Sequence, residues 1–253
     1  MSAVAPLKQP VIFKQPGSWL GRAIDVVVIG AGGNGSEVVD ALATFHHALI
    51  CLGRSGGLNL TIIDDAKVRE SNLVRQRFWP SDLGQHKAVA LANRFNLALG
   101  LSWKGLPFRF PDERVKDAIE NADLVITAVD LPSVRSAVAD LDWRLQNEAM
   151  WLDLGNGHRH GQAVFGALNK RYRNRYPCVV DLFPEIREMP DDDTKSCSAA
   201  ESLKTQDCLV NRTITTAGLS VIWEVLRYGS TGKNLIVVDL ETGGQSAHLF
   251  PKG

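Results

Sequence analysis

The stretch DVVVIGAGGNGSEVV, residues 25–39, determines the fold that we expect for this chain. Residues 26–29 are β-branched and apolar, which is typical of a strand covered on both faces in a parallel sheet. A helical pattern of apolar residues follows from Ser36 to about Cys51. A glycine turn between such a strand and helix allows close backbone approach and leaves free amides that face an anion. We therefore predict a nucleotide-binding turn with the glycines Gly30, Gly32, Gly33 and Gly35.

The next strand leads into a polar stretch that we expect to carry the chemistry. Residues 58–63 predict a strand that ends at Asp64. An acid at this strand end binds the ribose in a dinucleotide site, and the alternative is that it caps the next turn. The following loop and the start of a helix predicted for residues 84–98 contain Asn72, Arg75, Gln76 and Lys87. These side chains are poor core material, so the stretch favours a polyphosphate site.

The rest of the chain continues to alternate strands and helices. We predict strands at 101–110, 123–129, 150–154, 161–168 and 234–240, a short final strand, and helices at 111–121, from Pro132, and at 211–227. This order indicates an α/β, Rossmann-like fold: a mostly parallel central sheet flanked by helices, with an antiparallel C-terminal extension. Asp130 follows the strand at 123–129. It should therefore face the same crevice as Asp64, at the carboxyl ends of the strands.

The sequence favours one domain preceded by an arm. Pro6, Pro10 and Pro16 predict an extended N-terminal arm over residues 1–23, because proline removes a donor and restricts its predecessor. Residues 24–253 are predicted to form a single domain. Basic and acidic runs indicate a mobile loop at about 169–208.

Composition excludes several classes of function. Lys plus Arg and Asp plus Glu are 28 each, so no overall basic field favours nucleic acid. We find no leader sequence and no apolar run long enough to span a bilayer, and we expect a cytoplasmic protein without membrane contact. The four cysteines include no C-x-x-C pair, which argues against a zinc ribbon.

In combination, these motifs resemble a known family. The glycine turn, Asp64, the run SNLVRQ at 71–76, Gly84 with Lys87, and Asp130 resemble the ThiF/MoeB/ubiquitin-activating (E1-like) adenylyltransferases. Among the branches of that family, the chain is most similar to the PRTRC system ThiF family proteins. The similarity covers about residues 24–168, and more loosely 211–227.

The resemblance implies an enzyme that binds ATP and Mg²⁺ and adenylates the C-terminal glycine carboxylate of a small ubiquitin-like (β-grasp) protein, releasing pyrophosphate. It assigns Asp64 to the ribose and Asp130 to the magnesium ion. Asn72, Arg75 and Lys87 would bind the phosphates, and Gln76 would shape their loop. It also implies a homodimer, with an E2-like or other conjugation partner as a further possibility.

The chain departs from the family pattern at three places. The N-terminal Arg-x-x-Arg-Gln motif, which reaches the partner's ATP site in relatives, is missing, and Lys8, Lys14 or Arg22 is the available substitute. The second acid of the family's Asp-x-Asp is displaced to Asp65. Cys178 is the single candidate ligand for the family's zinc, so we predict no structural zinc.

Three functional questions stay open at this point. Cys197 is either the cysteine that accepts the activated acyl group or an ordinary loop cysteine. The displaced acid and the missing arginine motif leave a second interpretation open: a non-catalytic E1-like scaffold that binds nucleotide or a partner. An NAD-dependent oxidoreductase is favoured only by the glycine turn and Asp64, since Arg75, Lys87 and Asp130 have no natural role there.

Overall fold

The computed structural model describes residues 11–141, 148–191 and 207–251. Its strands are β1 (Phe13–Lys14), β2 (Ile24–Ile29), β3 (Leu58–Ile63), β4 (Lys104–Leu106), β5 (Leu124–Thr127), β6 (Met150–Asn156), β7 (His160–Ala167), β8 (Ser230–Thr231), β9 (Lys233–Asp239) and β10 (Gly244–Leu249). Its helices are α1 (Gly33–Cys51), α2 (Lys87–Leu99), α3 (Glu113–Glu120), α4 (Pro132–Asp140), α5 (Val179–Leu182) and α6 (Val210–Tyr228).

The described residues form an eight-stranded sheet in the order β10-β9-β7-β6-β5-β2-β3-β4. Strands β4, β3, β2, β5 and β6 run parallel, whereas β7, β9 and β10 are antiparallel. A separate antiparallel pair joins β1 to β8. The predicted Rossmann-like α/β fold with an antiparallel extension is confirmed.

Strand β2 is buried on both faces, as its apolar sequence predicts. Val26 and Val28 belong to the core that α1, α2 and α6 cover, whereas Val27 and Ile29 belong to the core under α3 and α4. Because successive side chains point to opposite faces of a strand, a continuous apolar run fills two helical layers at once.

Helix α6 packs across α1 and across strands β6, β7 and β9. Gly218 brings its backbone close to the sheet: a Cβ there would lie 2.7 Å from Leu154 Cδ2 and 2.8 Å from Ala163 Cβ. No helix within the described ranges is both long and apolar enough to cross a membrane.

Two predicted elements differ from the structure. The strand predicted at 101–110 is wrong in extent, because only Lys104–Leu106 pairs with β3, at the edge of the sheet. Pro107 follows it and removes a donor from any longer ladder. The helix predicted from residue 84 begins at Lys87, since Gly84 adopts a φ of 81° and ends a preceding 3₁₀ turn.

The described part of the N-terminal arm, residues 11–23, lies on its own domain. Phe13 and Trp19 are buried, and Phe13 packs edge-on against Phe165 and Tyr176. Arg22 makes a bidentate pair with Asp123, both bonds 2.7 Å long, at the amino end of β5. Arg22 is thus used within its own chain, at the sheet edge opposite the carboxyl ends of the strands.

Candidate active site

A cavity of about 940 Å³ lies at the carboxyl ends of the parallel strands. The strand order reverses at β2, whose neighbours β3 and β5 continue in opposite directions, and open α/β sheets bind ligands at such a point. Most of the predicted phosphate and metal side chains line this cavity: Asn72, Arg75, Gln76, Lys87 and Asp130. The fold therefore brings together groups that are up to 58 residues apart in the chain.

The glycine turn between β2 and α1 is formed as predicted from the sequence. Gly30 has a φ of 93°, and a Cβ at this position would lie 2.6 Å from the carbonyl oxygen of Ala128. A Cβ at Gly35 would collide with the carbonyl of Gly30. Gly32 is the N-cap of α1 and supplies no side-chain cap, so the first amides of this helix remain available to an anion. Gly33 begins the helix itself.

Asp64 holds the glycine turn from the end of β3. Its carboxylate accepts hydrogen bonds from the backbone N–H of Ala31 (2.7 Å) and of Ala66 (2.8 Å). The capping role that we considered for Asp64 is therefore present, and it links two loops of the site. Neither Asp64 nor the glycines line the cavity itself, and the ribose contact stays a prediction.

The loop after β3 is shaped by its own polar groups. Asn72 Oδ1 accepts a hydrogen bond from Arg69 N (2.9 Å), and Gln76 N donates to the Asn72 carbonyl (3.0 Å). The side-chain oxygen of Gln76 is buried and has no hydrogen-bond partner among the described residues. A buried polar atom in this condition is costly, which favours a ligand or water beside it.

Two cations and one acid share the floor of the cavity. Burial lowers the pKa of Arg75, and the nearby charge of Asp130 partly offsets this. Lys87, the first residue of α2, is buried. Burial raises the pKa of Asp130, while Arg135, Arg75 and Lys87 oppose that shift. A positive charge close to Asp130 therefore stabilises the ionised form of its carboxyl group.

Arg135 and Asp153 also line the cavity, and we did not identify them from the sequence. Arg135 Nε donates to both carboxylate oxygens of Asp153, at 2.8 and 3.0 Å. Thr127 Oγ1 donates to Asp153 at 2.5 Å. Burial acts to lower the pKa of Arg135, but the charge and hydrogen bond of Asp153 outweigh it and raise the pKa. In the sequence, Asp153 could have been noticed as a charged residue within the otherwise apolar strand WLDLG, residues 151–155.

Three asparagines form a hydrogen-bonded chain beside the cavity, and Asn156 is the one of them that lines it. Asn34 Nδ2 donates to Asn156 Oδ1 (2.7 Å), and Asn156 Nδ2 donates to Asn211 Oδ1 (3.2 Å). They belong to α1, β6 and α6. The carboxamide of Asn211 also lies against Gly33, where a Cβ would overlap it. The start of α6 is thereby fitted to the glycine turn.

Two of the three cysteines considered for a function, Cys178 and Cys208, lie within the described residues. Cys197 lies outside the described residues. Cys178 is buried, and its thiol donates to Asp181 Oδ2 at 3.0 Å. Cys208 is exposed and lies just before α6.

The residues fit a nucleotide better than an isolated metal ion. The glycine cradle and the cations Arg75 and Lys87 suit a polyphosphate, whereas the unpartnered Gln76 oxygen suits a donor such as a hydroxyl group or a water molecule. Within the described ranges, no group of three or more His, Cys, Asp and Glu side chains is placed to hold a metal. A magnesium ion at Asp130 would need phosphate and water oxygens as further ligands, which is its usual coordination in nucleotide sites.

Comparison with known proteins gives a family and several similar folds. The model of the ThiF family matches residues 18–234. A crystal structure of E. coli MccB with ATP is 16% identical, with a TM-score of 0.62, and the match covers 92% of this chain and 64% of that one. A structure of PaaA is 14% identical, with a TM-score of 0.60, and covers 90% and 64%. The chain thus spans about 64% of the length of these proteins. No curated protein sequence matches the chain.

Proposed function

The chain belongs to the ThiF family, and from this premise we propose that it is an ATP-dependent adenylyltransferase of the E1-like type. The observation that carries the proposal is the convergence of Arg75, Lys87 and Asp130 in one cavity next to a glycine turn. Glycine turns bind nucleotides in many folds, but this combination of two cations and an acid is suited to phosphoryl chemistry.

The reaction follows from the charges of the cavity. A carboxylate oxygen of the acyl substrate attacks the α-phosphorus of ATP, the bond to the bridging oxygen breaks, and pyrophosphate leaves. Negative charge grows on the leaving group, and Arg75 and Lys87 would stabilise it. A carboxylate nucleophile needs no general base, so orientation and charge neutralisation carry the rate. Asn72 and Gln76 would orient the phosphates, and Asp64 the ribose.

Magnesium is part of the proposal through Asp130. When bound, Mg²⁺ would supply charge neutralisation to the phosphates. Asp130 would hold it, and Arg135 is already paired with Asp153, which leaves the Asp130 carboxylate available for a metal.

For the acyl substrate, we propose the C-terminal glycine carboxylate of a small ubiquitin-like protein of a PRTRC-type system. The extent of the cavity supports this. It extends from the phosphate loop past Asn156 and Gly157 to Gln162 on β7. In the comparison set, MccB has been crystallised with MccA as well as with ATP.

A later transfer to a cysteine and a homodimeric assembly are the finer parts of the proposal. Cys197 is our candidate acceptor, and Cys208 is the exposed thiol near Arg75. If transfer occurs, Cys197→Ala should retain adenylation and lose a reducible conjugate of the partner. A conjugate that persists in this variant and disappears in Cys208→Ala would move the assignment to Cys208.

The test is exchange of labelled pyrophosphate into ATP in the presence of a small ubiquitin-like protein that ends in glycine. Exchange should require the terminal glycine and should be lost in Arg75→Ala. Arg114→Ala is the matched control, because Arg114 pairs with Asp112 far from the cavity. Exchange that persists at the normal rate in Arg75→Ala would contradict the proposed chemistry.

A scaffold that binds ATP without turnover is the second candidate. The displaced acid pair favours it, because Asp64 is already bonded to two backbone amides. ATP binding without exchange, in the presence of an intact partner, would select the scaffold. Tighter binding of NAD than of ATP would instead revive the oxidoreductase.

A further inference from the structure

Arg77, which follows Gln76 directly, fastens the phosphate loop to α1. Its backbone N–H donates to Ser36 Oγ at 3.0 Å. Its guanidinium lies between two acids of α1, with Nε 3.0 Å from Glu37 Oε2 and Nη2 3.2 Å from Asp40 Oδ2. The Nε contact is an ion pair that lacks hydrogen-bond alignment. Both acids lie within two turns of the glycine turn, so Arg77 links the two phosphate-facing segments.

Arg94 fastens the same loop to α2. Its Nη1 donates to the Arg77 carbonyl at 2.6 Å, and its Nη2 donates to Asp82 Oδ2 at 2.5 Å. The guanidinium also stacks 3.5 Å from the ring centroid of Trp79. Helix α2 begins with Lys87, two turns before Arg94. Arg94 therefore fixes the position of the loop relative to α2, the helix that begins with Lys87.

We propose that Arg77 and Arg94 are positioning residues that hold Arg75 in its phosphate-binding place. We call the two arginines and their partners Ser36, Glu37, Asp40 and Asp82 the loop clamp. The inference rests on the proposed function, because it assigns the phosphates to Arg75. No residue of the loop clamp lines the cavity, so the loop clamp would act through the loop between β3 and α2.

Folding stability explains little of the contact between Arg77 and Asp40. Their side chains are 32% and 45% exposed, and an ion pair this exposed contributes little to stability, whereas Glu37 and Asp82 are only 13% and 12% exposed. Position matters far more to a phosphate site, since a displacement of about 1 Å costs on the order of 100-fold in rate. Arg77 lies two residues after Arg75 and has four contacts that can prevent such a displacement. They are with Ser36, Glu37, Asp40 and Arg94.

Removal of Arg77 should leave the fold intact. Glu37 keeps a second cation, because Arg212 Nε of α6 lies 3.5 Å from the same Oε2 atom. No buried acid loses its last partner in Arg77→Ala. Arg94 is more buried, so Arg94→Met is the suitable variant there: it retains an apolar side chain over Trp79 and removes the two hydrogen bonds.

The experiment is a double-mutant cycle on ATP affinity, measured by calorimetry with Mg²⁺. Arg77→Ala should weaken ATP binding roughly tenfold, the scale of one charge-assisted hydrogen bond. Arg75→Ala should weaken it at least as much. The double variant should be no weaker than Arg75→Ala alone, because Arg77 acts through Arg75. Arg77→Lys should recover part of the affinity, and Arg94→Met should weaken binding in the same direction.

Arg114→Ala is the matched control, since its guanidinium also stacks on an aromatic ring, 3.9 Å from that of Phe108, and pairs with an aspartate. It should bind ATP normally. Losses that add in the double variant, or wild-type affinity in Arg77→Ala, would overturn the positioning role. Failure of the wild-type protein to bind ATP would refute the proposed function itself, and it is seen before any variant is made.

Discussion

At the scale of single residues, the cavity shows a conflict between stability and function at Asp130. Burial raises the pKa of this carboxyl group, so the folded protein binds a proton more readily than the unfolded chain does. Stability therefore falls as the pH rises from the unfolded value, about 3.9, through the raised folded value, and it stays lower above that range.

Asp130→Asn should separate the two effects. The neutral amide imitates the protonated acid, so the variant should be at least as stable as the wild type at pH 7.5, with a smaller difference at pH 4. Pyrophosphate exchange should fall about 100-fold or more, as when an electrostatic contact to a transition state is lost. Thermal unfolding at both pH values and the exchange assay test this. Unfolding of the variant at pH 7.5 would mean that Asp130 supports the core.

The cysteines differ sharply in their expected reactivity. Burial raises the pKa of the Cys178 thiol to about 12, and the hydrogen bond to Asp181 acts in the same direction. Cys178 should therefore resist iodoacetamide at pH 8 in the folded protein, whereas the exposed Cys51 and Cys208 react. Mass spectrometry after native alkylation measures this. Rapid labelling of Cys178 would show that the segment around α5 opens readily.

At the scale of elements, local patterns predicted most of the fold. The segment from β2 to β3 was predicted within a few residues, because one apolar run, one glycine turn and one amphipathic helix specify it without help from distant residues. Strand β4 was overestimated, because its length depends on pairing with β3 alone. The pair Arg135–Asp153 was missed, because its members meet only through the alignment of β5 with β6.

The contact between the N-terminal arm and β5 can be tested through Arg22. Arg22 neutralises Asp123, whose side chain is 1% exposed. In Arg22→Ala the carboxylate keeps the backbone N–H of Asp25 as a donor, at 2.9 Å, but loses its charge partner. We expect a loss of about 1–3 kcal/mol in unfolding free energy, the range for a buried acceptor left short of donors. Chemical denaturation measures this loss. Arg54→Ala is the control, because Arg54 also contacts the arm but donates to an uncharged acceptor, Gln15 Oε1.

At the scale of the whole molecule, the two edges of the parallel sheet have different tasks. The carboxyl edge collects the glycine turn, Arg75, Lys87 and Asp130. The amino edge holds the arm through Arg22 and Asp123. Since these two groups lie at opposite ends of the parallel strands and share no partner among their described contacts, ligand binding at one edge and anchoring at the other should contribute independently to stability.

This independence predicts a crossed pattern of thermal shifts. At a free ATP concentration 100 times its Kd, binding to the folded state stabilises a protein by about 2.7 kcal/mol. For a chain of this length, that raises Tm by roughly 5–10 °C. Arg22→Ala should lower Tm but keep the ATP shift, because the cavity is unchanged. Arg75→Ala should keep Tm and lose about half of the shift or more, because a tenfold weaker Kd lowers the stabilisation at the same ATP concentration to about 1.4 kcal/mol. Thermal unfolding of both variants with and without Mg²⁺-ATP tests the pattern. An ATP shift that disappears in Arg22→Ala would mean that the two edges are coupled through the sheet, and that the arm belongs to the site.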